Sequence, residues 1–285
     1  MRSDAPDELA LTVVIPVRNE ALNLPACLAS LAGVSRVLVV DSGSTDDTAA
    51  IARRAGAEVV AFAWPGGYPK KRNWVLETRT FDTDWVLFLD ADERLTPAFL
   101  AALPEALGRE GVAGYWLNYH NHFMGRVLRH GVPQRKLALF RTGAGRYERI
   151  DDPGWSALDM EVHEHPILTG PVGEIAAPIE HEDFRGLHHF IARHNEYSSW
   201  EARRFVALSG DRAAWAALTR RQRGKYAGLA RWWFAPAYFL FTYVLRAGFL
   251  DGRQGFTYAA FKAGYFRDVR LKIEELARAD AGGGA

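Results

Sequence analysis

Two patterns of apolar residues divide the chain. In the first half they come in short unbroken blocks, and in the last third they recur at spacings of three and four. The blocks Leu11-Thr12-Val13-Val14-Ile15-Pro16-Val17, Arg36 to Val40, Glu58 to Ala63 and Trp85-Val86-Leu87-Phe88-Leu89 have the length and continuity of strands covered on both faces, as in a parallel sheet. Helical signals lie between them. Leu24, Leu28 and Leu31 form a stripe with Pro25 in its first turn, and Ser42-Gly43-Ser44-Thr45-Asp46-Asp47 supplies a turn and an N-cap for a helix through Arg54 that Gly56 closes. Lys70-Lys71-Arg72-Asn73 opens a third helix, and Thr96-Pro97 starts a fourth by capping residue and N1 proline. This βαβαβαβ order predicts an α/β fold with a doubly wound, mostly parallel central sheet.

After Gly111 the pattern loosens. Ala113 to Tyr119, Lys136 to Arg141 and Arg146 to Ile150 read as antiparallel edge strands between Gly and Pro. From Arg185 the signal is helical, and Tyr258, Phe261, Tyr265, Val269, Ile273 and Leu276 make one stripe on the last helix. The expected organisation is a tail (1–10), an α/β domain (11–183), a helical region (184–278) and a second tail (279–285).

A chain of 285 residues with 48% hydrophobic composition can bury a large core, and a formal net charge of +1 gives no whole-molecule argument for nucleic acid. The single Cys27 excludes a disulfide within the chain and a Cys-rich metal site, and its place beside Leu24 and Leu28 reads as a buried thiol. Met1 to Ala10 is polar and acidic, without the basic and apolar regions of a secretory signal, so a cytoplasmic location is expected.

The chemistry gathers where strands end. The run Trp85 to Leu89 stops on Asp90-Ala91-Asp92, and ligands of open α/β sheets collect at the carboxyl ends of strands. Two carboxylates one residue apart suit a divalent cation, Mg²⁺ or Mn²⁺, whose other ligands are substrate phosphates. Pro16-Val17-Arg18-Asn19-Glu20, Asp41 to Asp46 and Lys70 to Asn73 end the other strands, so one edge offers acceptors for a nucleoside and cations for a diphosphate.

As an ordered set, Val14 to Glu20, Val40 to Thr48, Lys71-Arg72-Asn73 and Leu89 to Glu93 resemble the nucleotide-sugar domain of family 2 glycosyltransferases, inverting enzymes of GT-A fold. Val162-His163-Glu164, Ile179-Glu180-His181 and Gly248 to Phe256 look like the bacterial subgroup that includes lipopolysaccharide core β-glucosyltransferases. The resemblance implies a UDP-sugar donor and a glycan or glycolipid acceptor. It implies that Pro16, Asn19, Glu20 and Asp41 contact the nucleoside, that Arg72 and Lys71 lie near the diphosphate, and that Asp90, Asp92 and His181 surround the metal. Lys71-Arg72-Asn73 departs from the family's common Ala-Arg-Asn, which leaves open which cation acts. An acidic residue after the metal motif serves the family as base; Glu164 matches in order and neighbours, with Asp159, Glu161, Glu182 and Asp183 as competitors.

Other histidines carry less. His163, His165 and His181 lack cysteine partners for zinc, and His165 reads as a structural hydrogen-bonding group. His188, His189 and His194 receive no catalytic role. His120 and His122 alternate on a strand and are read as lining an acceptor cleft.

Between Arg185 and Arg231 ten Arg or Lys face three Asp or Glu, and the 14-residue uncharged run Trp232 to Leu245 follows. As a helix at about 1.5 Å per residue that run is too short for a hydrocarbon core of roughly 30 Å. It is expected to lie in one leaflet of an anionic membrane, giving a peripheral protein, with packing on the α/β domain or on a second copy in a homo-oligomer as the alternative. The competing function is a catalytically silent nucleotide-sugar-binding or scaffold protein on the same fold. A nucleotidyltransferase is disfavoured because the loop after the first strand is not Gly-rich.

Overall fold

The computed structural model describes residues 9–152, 154–156 and 164–282. Asp159, Glu161 and His163 fall outside the described residues. The described chain forms two units, one of 9–122, 133–151 and 164–185, the other of 123–132, 152, 154–156 and 186–282.

The first unit is α/β. Strands β1 (Leu9–Val17), β2 (Val34–Asp41), β3 (Glu58–Ala61) and β4 (Trp85–Phe88) are parallel neighbours, with helices α1 (Leu24–Ala29), α2 (Thr48–Arg54) and α3 (Lys71–Thr78) between them in sequence. β5 (Glu93–Arg94) and α4 (Pro97–Gly108) follow, and Thr96 caps α4 by accepting from Phe99 N at 3.1 Å. Alternate residues of β1 enter opposite cores. Leu11, Val13, Ile15 and Val17 pack with Leu24, Cys27, Phe99 and Leu103, whereas Val14 packs with Val75, Phe88, Phe140 and Tyr147. Burial on both faces is why β1, β2 and β4 read as unbroken apolar blocks, whereas β3, expected to be covered likewise, is the edge strand and leaves Glu58 and Ala61 exposed.

The expectation of antiparallel edge strands after Gly111 is corrected for the two longest segments. β6 (Gly114–Phe123) and β8 (Arg135–Arg141) are interior, in the order β3-β2-β1-β4-β8-β6-β11-β5, with β11 (Val172–His181) parallel to β6. β8 runs antiparallel to both β4 and β6. The third segment is short: β9 (Gly145–Tyr147) pairs with β10 (Pro166–Leu168) in a separate two-stranded sheet.

The second unit holds β7 (Arg126–Leu128) and the helices α5 (Gly186–Gly210), α6 (Arg212–Ala217), α7 (Arg220–Leu229), α8 (Phe234–Phe239) and α9 (Gly252–Gly282). Its core joins Ala202, Leu208, Tyr226 and Leu229 to Tyr265, Val269 and Ile273, the middle of the stripe on α9. The run from Trp232 does not make one regular helix: α8 passes into a π-helical segment, Leu240–Leu245, and a 3₁₀ turn, Gly248–Asp251. No described helix is long and apolar enough to cross a membrane.

Candidate active site

The four parallel strands bring their carboxyl ends to one edge, where Val17 is level with Asp41 and Asp41 with Ala61. Asn19, in the left-handed region at φ 55°, ties the first two loops together: its Oδ1 accepts from Thr45 N at 2.8 Å, and its own N donates to Ser44 Oγ at 2.9 Å. Asp41 closes the second loop, its Oδ1 accepting from Ser44 N at 2.9 Å and Ser44 Oγ at 2.6 Å. Pro16 lies in β1 opposite Val40. Glu20 is engaged more heavily, accepting from Asn23 Nδ2 at 2.9 Å and Arg185 Nη1 at 2.7 Å.

α3 brings its cations in at its first turn. Lys71 is buried and directs Nζ to Val17 O at 3.4 Å, while Arg72 donates Nη2 to Asp90 Oδ1 at 2.9 Å with its guanidinium over the Tyr147 ring. Lys136, from β8, reaches the other oxygen of Asp90 at 2.7 Å and Glu93 Oε1 at 3.2 Å. Burial disfavours the charge of Asp90, but Lys136 and Arg72 outweigh it and hold its carboxyl well below the usual range. Burial pushes Glu93 up against the opposing pull of Lys136. Motif reading missed Lys136, because its contact with Asp90 depends on β8 lying beside β4.

Asp92 and His181 form a second focus. Asp92 Oδ2 stands 3.6 Å from His181 Nε2, and His181 Nδ1 is bonded to Asn121 Oδ1 at 2.8 Å. Burial opposes protonation of His181, yet Asp92, with Glu93 and Asp90 behind it, holds its pKa up to about 9. With Asn121 accepting from Nδ1–H, a deprotonated His181 would present its Nε2 lone pair beside the Asp92 carboxylate, a donor set whose chemistry fits Mg²⁺ or Mn²⁺. No group of three or more His, Cys, Asp or Glu suited to a metal occurs among the described residues. The three residues named for the metal are thus placed differently: Asp92 and His181 face each other, and both oxygens of Asp90 are held by cations.

Glu164 lies elsewhere in bonding terms. Its side chain is 0% exposed and its Oε1 is 3.2 Å from Lys70 Nζ, itself 1% exposed. Of its described competitors, Glu182 pairs with Arg94 at 2.7 Å, and Asp183 accepts from Arg185 and Asn23. His120 and His122 both bond Glu180, so they form a histidine–carboxylate cluster on β6 and β11. Cys27 is buried, and burial pushes its thiol well up.

The strand-end loops fall inside a region with known relatives. Residues 12–160 match the model of the glycosyl transferase family 2. The lipopolysaccharide core biosynthesis glycosyltransferase LpsC of Rhizobium meliloti (strain 1021) is 29% identical over 68% of this chain and 71% of its own. An uncharacterised glycosyltransferase of Rickettsia felis is 26% identical over 95% of this chain and 94% of its own. Among solved structures, glucosyl-3-phosphoglycerate synthase from Mycobacterium tuberculosis, in complex with Mn²⁺, UDP and glucosyl-3-phosphoglycerate, aligns at 26% identity and a TM-score of 0.31. That alignment covers 39% of this chain and 44% of the synthase, less than half its length. Since the family model takes in more than half of the sequence, including every strand-end loop of the parallel sheet, the chain belongs to glycosyl transferase family 2.

Proposed function

We propose that this family 2 member is a metal-dependent inverting hexosyltransferase that moves a sugar from a UDP-sugar to a lipid-linked glycan of the cell envelope, of the lipopolysaccharide core type. The observation that carries the reading is the paired focus at the sheet edge, Asp92 with His181 beside Asp90 with Arg72 and Lys136. The name of LpsC supports the acceptor class. A lipid-linked acceptor sets the reaction at the inner face of the cytoplasmic membrane, with this chain as a peripheral protein.

In this reading Asp41, Asn19 and Pro16 line the nucleoside side, and Lys71 and Arg72 face the diphosphate. Asp92 and His181 would hold the cation, which when bound would supply positive charge to the departing diphosphate. The acceptor hydroxyl displaces the diphosphate from the opposite face of the anomeric carbon. Glu164 takes the hydroxyl proton, its carboxylate held ready by Lys70. Glu20 shapes the first loop through Arg185 instead of reaching the donor directly.

The test is transfer of radiolabel from a panel of UDP-sugars into extracted envelope glycolipids with Mn²⁺ present. Label should enter lipid with the wild type, and Glu164→Gln should lower turnover by about 10²–10⁴-fold with donor binding retained. The second reading, a donor-binding protein that performs no transfer, draws on the complete burial of Glu164. Donor binding without incorporation from any sugar would establish it, and near-normal turnover of Glu164→Gln would remove Glu164 from the role.

A further inference from the structure

The segment from Trp232 to Leu245 carries apolar side chains all round. One side is covered by α9. Phe234 and Tyr238 meet Phe266 with ring centroids 5.1 and 4.6 Å apart, and Phe239 and Tyr243 meet Phe256 at 5.8 and 5.5 Å. The other side is open: Trp233, Leu240, Phe241 and Val244 are exposed, and Trp232 and Leu245 are 76% and 75% exposed at the two ends. A helical segment that carries apolar side chains on its open side as well as on its covered side lacks a neighbour.

The chain then turns back through Ala247, at φ 54°, and the 3₁₀ turn, which shows Phe249 and Leu250 to solvent. This turn is built to hold its shape. Asp251 is buried and accepts from His130 N at 2.8 Å and pairs with His130 Nδ1 at 3.0 Å, while Gly131 N donates to Arg246 O at 2.9 Å. Gly255 packs so closely beneath that an added Cβ would stand 2.0 Å from Gly248 O. A rigid frame therefore presents Leu245, Phe249 and Leu250 to solvent.

Charge identifies the occupant. From 231 to 256 the charged residues are Arg231, Arg246 and Arg253, all exposed, and Asp251, whose carboxylate is turned inward to His130. We propose that this face docks on an anionic phospholipid bilayer, with Leu245, Phe249 and Leu250 at the boundary of headgroups and acyl chains and the three arginines on lipid phosphates. Aromatic and aliphatic side chains flanked by arginine match the chemistry of that boundary. A second copy fits less well. A two-fold contact would set the patch against itself, bringing arginines together with no exposed acid within the patch to meet them. Spanning is excluded by length, since Phe234 to Leu245 rises about 18 Å at about 1.5 Å per residue against roughly 30 Å of hydrocarbon.

The experiment is flotation of the full chain with phosphatidylcholine vesicles with and without phosphatidylglycerol, beside UDP binding and sedimentation velocity on the same samples. Wild type should float with the anionic vesicles and much less with the neutral ones. Arg231→Gln with Arg253→Gln should lower partition about thirtyfold, the effect of removing two basic side chains from an anionic surface. Leu245→Glu with Leu250→Glu should leave the protein in the aqueous phase, with UDP binding unchanged in both variants. Wild type that stays aqueous with anionic vesicles overturns the proposal, as does equal flotation of the wild type and the glutamate variant. A wild-type dimer that the glutamate variant splits, without vesicle binding, assigns the face to a second copy instead. UDP binding is read separately, so failure here is distinguishable from failure of the transferase reading.

Discussion

Lys70 and Lys136 each neutralise a carboxylate that motif reading assigns to the chemistry. The Lys70–Glu164 pair is almost wholly out of water, so removing one partner takes the opposite charge away from a buried ion. Lys70→Met should lower unfolding free energy by about 3–5 kcal/mol, and adding Glu164→Leu should recover most of it, as urea titration would show. A second test at this scale uses pH. His194 is packed among Phe190, Tyr197, Phe261 and Tyr265, and burial, with Lys262 nearby, holds its pKa down to about 4. The neutral ring is favoured in the fold and the unfolded chain takes up the proton first. Stability should therefore fall as pH drops from about 6.5 to about 4, by up to about 3 kcal/mol, and His194→Phe should flatten that slope in urea titrations at several pH values. Neither lysine was legible as a partner in the sequence. Lys70 and Glu164 are far apart in the chain, and Lys136 opens a strand whose neighbour no local pattern names.

At the level of elements, legibility followed burial. β1, β2 and β4 stand out because both faces are covered, and α4 because Thr96 and Pro97 mark its start chemically. β6 was harder to place. Its first residues bury Gly114, Tyr115 and Leu117, but Asn118, His120 and His122 follow, so it reads as a strand at the margin although it lies between β8 and β11. Pairing between distant segments, not local propensity, sets that position. The Gly248 to Phe256 motif was visible as a string, yet its meaning is steric. Gly255→Ala forces a Cβ onto Gly248 O and should lower the melting temperature measurably by calorimetry, whereas Gly264→Ala, where nothing lies within 4 Å of the added Cβ, should not.

For the whole molecule, the match to the family model stops at residue 160, so the helices from α5 onward take no function from it. What the sequence displayed of the candidate site was the order of its loops along the parallel sheet. What it did not display was the division of labour between Asp90, clasped by Arg72 and Lys136, and Asp92, facing His181. Metal-dependent donor binding at this edge requires that division. Calorimetric titration of UDP into the wild type and into an Asp92→Ala, His181→Ala variant, each with and without Mn²⁺, tests it most directly. The expected result is binding by the wild type that tightens at least about tenfold, about 1.4 kcal/mol, with Mn²⁺, and a folded variant in which the metal makes no difference. Wild-type binding indifferent to Mn²⁺, or a variant that keeps the full metal effect, would contradict it.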